Sequence, residues 1–276
     1  MTTTLPTIAV IGAGAMGGAI LSGLLAPEVT VAGGIRVTNR TEAKARALDG
    51  PGVTSYALES VPDGNLLAVD GAAIVLLGVK PAMVPETLAA LAPALDPAAL
   101  VISVAAGVTT ATMESLVPNP VLRAMPNTPA IVGKAVTGLA AGARAVGEQL
   151  ALGRALFETV GAVVEVPEQQ IDALSTISGS GPAYVFYLVE ELTRTAVDLG
   201  FAPEVAARLV TGTFDGAIAL LKASDDTPAS LRAQVTSPKG TTERAIAVMQ
   251  QADLKGMFDR ATAAALARAR ELAAGR

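Results

Sequence analysis

The sequence contains no cysteine, no histidine and no tryptophan, and aromatic residues make up only 3% of its 276 positions. Without cysteine, the chain has no disulfide, no thiolate nucleophile and no thiolate metal ligand. Without histidine, it lacks the commonest general acid–base group and the commonest zinc ligand. We therefore predict no metal site, and we expect any chemistry to depend on a cofactor assisted by hydroxyls, backbone amides, lysine or carboxylates.

Charge is also scarce, since charged residues make up 16% of the chain and the net charge is −5. Nucleic-acid-binding proteins usually combine a basic surface with stacking aromatic residues, so we expect no nucleic-acid partner. Residues 4–27 are uncharged, but five glycines interrupt them and the first basic residue is Arg36. That pattern is typical of neither a signal peptide nor a membrane helix. We expect a cytoplasmic protein that does not enter a membrane.

Short apolar runs alternate with helical patterns up to residue 167. Most runs lack a period of two, which is typical of parallel strands covered on both faces. The predicted strands are Ile8–Ile11, Ile35–Thr38, Val53–Tyr56, Ala73–Val79, Leu100–Ala105, Val121–Met125, Val136–Ala140 and Ala162–Val166. Predicted helices between them include Met16–Leu25, Glu42–Leu48, Met83–Ala92 and Ala145–Val160. The alternation predicts a doubly wound α/β domain over residues 1–167.

Beyond Pro167 no strand-like run appears, and helical patterns separated by Gly and Pro breakers take over. The predicted helices are Ala183–Leu199, Pro203–Ala223, Pro228–Val235, Thr241–Gln250 and Leu254–Ala274. We predict an all-α domain over residues 168–276. Its Ala-rich helices favour tight packing, including packing across a dimer.

The first strand–helix junction has a G-x-G-x-x-G turn made of Gly12, Ala13, Gly14, Ala15, Met16 and Gly17. In such a turn the first glycine makes the tight bend, the second lets backbone approach a pyrophosphate, and the third allows helix–strand packing. The helix N-terminus supplies free N–H groups for phosphates. The motif is weak alone, but its position in an alternating α/β chain predicts a Rossmann-type dinucleotide-binding domain.

The end of the second predicted strand carries Asn39, Arg40 and Thr41 in place of the acidic residue that binds the ribose of NAD. A guanidinium suits the 2′-phosphate of NADP, although Arg40 also fits a solvated loop charge. We predict NADPH as the cofactor, with NADH as an alternative donor. Two further strand ends are predicted to contact it, through Gly78, Val79, Lys80 and Pro81 and through Val104, Ala105 and Ala106. Lys80 also fits a catalytic amine, but a cofactor contact or structural role is favoured.

Two hydroxyl-rich segments begin helices in the second half. In Ser178–Tyr184, Ser180 or Gly181 is predicted near the cap and Pro182 at the first helical position. In Val235–Thr242, Ser237 is predicted as the cap and Pro238 as the first helical residue. Capping alone explains both patterns. A small carboxylic acid would also fit the second helix start, where Thr241 or Thr242 offers a hydroxyl.

The ordered motifs of the chain resemble those of pyrroline-5-carboxylate reductase over nearly its whole length. The matching segments are G-A-G-A-M-G (12–17), N-R-T (39–41), G-V-K-P (78–81), S-V-A-A-G (103–107), R-A-M-P-N-T-P (123–129), G-S-G-P-A-Y (179–184) and V-T-S-P-K-G-T-T (235–242). The resemblance implies reduction of a cyclic imine to L-proline with NAD(P)H, the last step of proline biosynthesis. It also implies a homodimer of intertwined C-terminal helices, with larger rings of dimers in some members.

The same resemblance implies roles for individual residues. Asn65 would join the cofactor contacts. Substrate contacts would be Ser237, Gly240, Thr241, Thr242, Glu168 and Gln234, with Ser237 and the 240–241 backbone on the carboxylate and Thr242 on the ring nitrogen. We assign catalytic roles to Thr242 and Ser237. Lys239 departs from the family's usual S-P-G-G, so a positive φ there would strain the chain, whereas a helical Lys239 would oppose the helix dipole.

Two alternatives stay open. A related NADP-dependent imine reductase or hydroxyacid oxidoreductase would share the two-domain plan, but many hydroxyacid enzymes use a lysine that Ala183–Leu199 lacks. A non-catalytic redox sensor would bind NADPH without consuming it.

Overall fold

The computed structural model of the chain describes residues 2–273. These form two compact units. The first comprises the residues up to Ser180 together with those from Ala265 onward, and the second is Gly181–Ala264. The functional boundary between residues 167 and 168 stays a prediction.

Up to Ser180, the described part of the first unit contains ten strands and seven α-helices. The strands are β1 (Thr3–Leu5), β2 (Ile8–Ile11), β3 (Val29–Val31), β4 (Ile35–Asn39), β5 (Val53–Ala57), β6 (Ile74–Leu77), β7 (Leu100–Ser103), β8 (Val121–Met125), β9 (Ala135–Ala141) and β10 (Gly161–Glu165). The helices are α1 (Ala15–Leu24), α2 (Glu42–Leu48), α3 (Gly64–Val69), α4 (Val84–Leu91), α5 (Thr110–Glu114), α6 (Gly147–Glu158) and α7 (Ile171–Leu174). All eight predicted strands form, with ends shifted by no more than two residues.

Eight strands form one sheet in the order β10-β9-β8-β7-β6-β2-β4-β5, and β1 pairs with β3 in a separate parallel ribbon. From β5 to β8 the strands run parallel. Their order reverses between β2 and β6, and this is the crevice where open α/β sheets bind ligands. The predicted doubly wound architecture is confirmed.

The apolar runs predicted parallel strands, and this prediction is wrong for one pair, since β9 runs antiparallel to β8. The connection 126–134 holds only the 3₁₀ turn Thr128–Val132. A parallel crossover needs about a dozen residues or more, so this connection is too short to return the chain to the same sheet edge. Strand β10 then follows β9 in parallel through α6.

The core lies on both faces of this sheet. In β2, Ile8 and Val10 belong to one buried cluster, whereas Ala9 and Ile11 belong to the other, and all four are fully buried. Burial on both faces explains why the strand sequences are continuously apolar.

The second unit is helical, as predicted. Its helices are α8 (Gly181–Asp198), α9 (Pro203–Ala223), α10 (Pro228–Gln234), α11 (Thr241–Gln251) and the first part of α12 (Leu254–Ala273). The predicted end of α12 at Ala274 lies outside the described residues. No helix within residues 2–273 combines the length and the apolar character needed to span a bilayer.

The start of α8 differs from the predicted cap. A π-helical turn, Ser175–Gly179, leads into it, and the Ser180 N–H donates to the Ser175 carbonyl. Helix α8 begins at Gly181, so Pro182 is its second residue and Ser180 has helical backbone angles. The glycine-rich sequence therefore continues an existing helical path and does not cap a new one.

Candidate functional site

The turn after β2 packs backbone against backbone on the turn after β6. Gly12 has φ of +84°, and a Cβ added there would lie 2.8 Å from Val79 Cγ1. A Cβ added at Gly78 would lie 2.6 Å from the Gly12 carbonyl oxygen. Neither position accepts a side chain without movement. The two glycines therefore keep the crevice at the strand-order reversal narrow and lined by backbone.

Helix α1 begins at this turn with exposed backbone donors. Its N-cap is Gly14, which has no side-chain cap and no atom within 4 Å of an added Cβ. The first intrahelical bond runs from the Gly18 N–H to the Gly14 carbonyl. The N–H groups of residues 15–17 consequently have no intrahelical acceptor. An open N-terminus with free amides and no acidic residue in its first turn is suited to an anionic phosphate.

Thr38, at the end of β4, fastens the turn after β2 to the sheet. Its hydroxyl accepts from the Gly12 N–H at 3.1 Å, and its carbonyl accepts from the Ala13 N–H at 3.0 Å. Sequence reasoning identified Thr38 only as a strand end, because nothing local signals a bond across 26 positions. Thr38 is thus a structural part of the site that the motif did not reveal.

Two asparagines among the predicted cofactor contacts have buried polar atoms without partners. Asn39 is 5% exposed, and neither its Nδ2 nor the Oδ1 of Asn65 has a hydrogen-bond partner. Buried polar atoms are paired in the great majority of cases, so an unpaired one needs an explanation. Both residues are predicted cofactor contacts. A ribose or phosphate oxygen would accept from the Asn39 amide, and a ribose hydroxyl would donate to the Asn65 oxygen.

Of the next two predicted cofactor contacts, Arg40 is exposed and Thr41 is half-buried. The Arg40 guanidinium has no ion pair with any residue in 2–273, and the Thr41 side chain makes no cap bond to α2. Instead, the Glu59 carboxylate accepts from the Glu42 N–H at 2.6 Å, while the Glu59 N–H donates to the Arg40 carbonyl. Sequence reasoning missed Glu59, which adds a negative charge beside the predicted 2′-phosphate position.

The loops after β6 and β7 lie side by side. The Val104 N–H donates to the Leu77 carbonyl at 3.2 Å, and the Ala105 N–H donates to the Ser103 hydroxyl. Gly107 takes φ of +77° and bends the chain toward α5. Lys80 is exposed and precedes the 3₁₀ turn that Pro81 begins. Its predicted cofactor contact stays a prediction, as does that of Ala106.

Glu168, a predicted substrate contact, has both carboxylate oxygens bonded to protein. They accept from the N–H and the hydroxyl of Thr110, each at 2.6 Å. Arg123 lies 3.7 Å from Glu168 and forms an ion pair with Asp172 at 2.5 Å. Within residues 2–273, no group of three or more acidic side chains is arranged to hold a metal ion.

In the second unit, Ser237 to Gly240 form a turn, and the predicted helix start at Ser237 and Pro238 is wrong. The Gly240 N–H donates to the Ser237 carbonyl, and Lys239 takes φ of +61°. Helix α11 begins at Thr241 with Gly240 as N-cap. The left-handed residue Lys239 interrupts the helical path, so Pro238 cannot belong to it. Of the two conformations considered for Lys239 from the sequence, the structure shows the strained one with positive φ and not the helical one.

The end of this turn presents several polar groups. The hydroxyls of Ser237, Thr241 and Thr242 have no hydrogen-bond partner among the described residues, and the Thr241 N–H lies in the first turn of an 11-residue helix. The Gly240 N–H is already used within the turn. The Glu243 carboxylate accepts from the Lys239 N–H at 2.9 Å and fixes the turn to α11.

Gln234, another predicted substrate contact, donates from Nε2 to the Asp226 carboxylate at 2.8 Å. This bond, together with one from the Ser230 hydroxyl, lowers the pKa of Asp226 from its usual 3.8. The Gln234 amide is therefore partly occupied by the protein itself, and its contact with a ligand stays a prediction.

Two protein families match different parts of the chain. Residues 168–272 match the family described as pyrroline-5-carboxylate reductase dimerisation. Residues 7–107 match the family described as NADP oxidoreductase, coenzyme F420-dependent. The first match covers the helical part and the second covers the turns after β2, β4, β6 and β7.

Similar proteins are found over nearly the full length. The pyrroline-5-carboxylate reductase of Corynebacterium melassecola is 40% identical over 96% of this chain and 98% of its own. A pyrroline-5-carboxylate reductase structure from Coxiella burnetii superposes with a TM-score of 0.87 at 36% identity, covering 96% of this chain and 97% of the other. The fold also matches the Plasmodium falciparum pyrroline carboxylate reductase with NADP bound, with a TM-score of 0.82 at 23% identity over 97% of this chain and 98% of the other.

Proposed function

The chain belongs to the pyrroline-5-carboxylate reductase family, and from this we propose that it reduces 1-pyrroline-5-carboxylate to L-proline with NADPH, the last step of proline biosynthesis. The observation that carries the proposal is the 40% identity to a reductase of that name over 96% of the chain. A match of this extent includes both the turn after β2 and the turn before α11. No single motif has that specificity.

The first unit fits a reduced dinucleotide, which supplies the hydride when bound. The free N–H groups at the start of α1 would bind the pyrophosphate. The unpaired Nδ2 of Asn39 and Oδ1 of Asn65 would gain partners. Arg40 would bind the 2′-phosphate and give NADPH its advantage over NADH. We propose as further contacts Gly12, Ala13, Gly14, Ala15, Met16, Gly17, Thr41, Gly78, Val79, Lys80, Pro81, Val104, Ala105 and Ala106.

The start of α11 fits the substrate carboxylate. The Ser237 hydroxyl and the Thr241 N–H offer donors at the positive end of the helix dipole. The Thr242 hydroxyl would hydrogen-bond the ring nitrogen and orient the C=N bond. A basic imine arrives partly as the iminium and is already an electrophile, so orientation contributes more than a strong acid would. These roles suit a chain without histidine. Gly240, Gln234 and Glu168 are the remaining proposed substrate contacts. Each would have to exchange or share a bond that it makes to protein in this structure.

The chain has a dimerisation domain, and we propose that it forms a homodimer through the C-terminal helices, with rings of dimers built on it. Among the described residues of Gly181–Ala264, only Ala206 and Val210 are buried. Phe186 is 67% exposed and Leu199 is 76% exposed. A helical unit with so little core of its own needs a covering surface, and a second copy supplies one. Light scattering at several protein concentrations tests this, since a concentration-independent monomer would contradict it.

The activity is tested by following NADPH absorbance with purified protein and racemic 1-pyrroline-5-carboxylate, with NADH in parallel. We expect substrate-dependent oxidation that is faster with NADPH, and L-proline as the product. Binding of NADPH without consumption would reject the reductase in favour of a redox sensor or of an enzyme for another imine or carbonyl acid. The cytoplasm, where reduced NADP is regenerated, is the proposed location.

A further inference from the structure

A buried cation joins three segments of the first unit. The Arg123 side chain, on β8, is 4% exposed and pairs with Asp172 of α7 at 2.5 Å. Its second contact is Glu168, with 3.7 Å between Nη1 and Oε1. One guanidinium thus faces two carboxylates, and both carboxylates lie in the segment that precedes the π-helical turn Ser175–Gly179.

Glu168 also bonds to Thr110, which lies at the end of the loop after β7. Its two oxygens accept from the Thr110 N–H and the Thr110 hydroxyl, so the carboxylate holds Thr110 with two bonds in a defined orientation. Thr110 is the first residue of α5, and it follows the loop 104–108 and the N-cap residue Thr109. The predicted cofactor contacts Val104, Ala105 and Ala106 lie in that loop. The positions of the loop and of the 168–180 segment are therefore set by one polar network.

We propose that Thr110, Glu168 and Arg123 position the 104–108 loop for hydride transfer, an inference that rests on the proposed function. A buried ion pair contributes little net stability compared with apolar residues of the same volume, because desolvation offsets the attraction. What it does provide is directional bonding. Here five polar groups from β8, α5 and the 168–172 segment meet in one fixed arrangement. Thr110 and Arg123 act as positioning residues, since neither is proposed to touch the reacting atoms.

The test uses Thr110, because Glu168 is itself a proposed substrate contact. Thr110→Val keeps the shape and the N–H bond but removes the hydroxyl bond to Glu168. Thr110→Ser restores a hydroxyl. Thr109→Val is the matched control, because the Thr109 hydroxyl caps the same helix by accepting from the Thr112 N–H at 3.1 Å and makes no bond to Glu168. All three are compared with the unaltered dimeric protein.

We expect Thr110→Val to lower kcat about 10-fold, since a small displacement of reacting groups is costly, while the Kd for NADPH changes little. Deuterium at the transferred position of NADPH should then slow turnover more than it does in the unaltered protein, because hydride transfer becomes limiting. Thr110→Ser should recover most of the lost rate. Thr109→Val should lower the melting temperature by about as much as Thr110→Val does, but it should leave the isotope effect unchanged.

Two results would overturn the positioning role. One is equal kcat and isotope effect for Thr110→Val and the unaltered protein. The other is an equal loss in Thr109→Val and Thr110→Val, which would show that α5 stability alone is responsible. If the unaltered protein does not oxidise NADPH with 1-pyrroline-5-carboxylate, the proposed function fails instead, and that outcome is separate from both.

Discussion

Replacing Gly12 with alanine should damage both the fold and the cofactor site. The residue has φ of +84°, a conformation that costs a residue with a Cβ roughly 1–2 kcal/mol. The new methyl group would lie 2.8 Å from Val79 Cγ1 and 3.2 Å from the Val79 nitrogen. Overpacking of this kind costs about 1–3 kcal/mol. Together the two effects predict a loss of roughly 2–5 kcal/mol, a large share of the stability of a typical domain.

Urea unfolding without cofactor, at one fixed protein concentration, measures this loss. Gly18→Ala is the matched control, because Gly18 lies in α1 with no atom within 4 Å of an added Cβ. The free energy of unfolding of Gly18→Ala should be about 0.5–1 kcal/mol higher than that of the unaltered protein, because alanine is favoured over glycine within a helix. Gly12→Ala should also bind NADPH more weakly. If Gly12→Ala unfolds at the same urea concentration as the unaltered protein, the turn is not as tightly packed as the distances require.

Substitutions at three other positions test the cofactor contact, the substrate contact and the unusual residue Lys239. Arg40→Ala should raise the Michaelis constant for NADPH about 10- to 100-fold and leave that for NADH nearly unchanged; equal effects on both would reject the 2′-phosphate contact. Thr242→Ala should lower kcat/KM by about tenfold with NADPH affinity intact, whereas unaltered turnover would remove Thr242 from the mechanism. Lys239→Gly should raise the unfolding free energy by roughly 1 kcal/mol by relieving the +61° φ, while Lys239→Ala, which keeps the strain, should not.

The sequence predicted the elements whose signal is local. The apolar runs identified all eight strands of the main sheet, and the G-x-G-x-x-G turn correctly located the first strand–helix junction. Short elements were missed, including β1, β3, α3 and α5, because three to six residues are too few to show a period. The direction of β9 was also missed, since it depends on the length of the connection from β8.

The parts of the site that sequence reasoning missed depend on contacts between distant positions. Thr38 and Gly12 are 26 residues apart, and Thr110 and Glu168 are 58 residues apart. No motif marks Thr110 or Glu59 as polar partners of predicted site residues. The start of α11 was misplaced for a different reason, because a Ser-Pro pair fits a helix start and a turn equally well. Only the left-handed Lys239 distinguishes them.

The most direct test of the account follows the transferred hydrogen itself. The unaltered protein is given 1-pyrroline-5-carboxylate and NADPH deuterated at the transferred position, and the product is analysed by mass spectrometry and NMR. We expect L-proline with a single deuterium on the δ-carbon, the ring carbon that was double-bonded to nitrogen in the substrate. Proline without deuterium, deuterium at another carbon, or no proline at all would contradict direct hydride transfer to the imine.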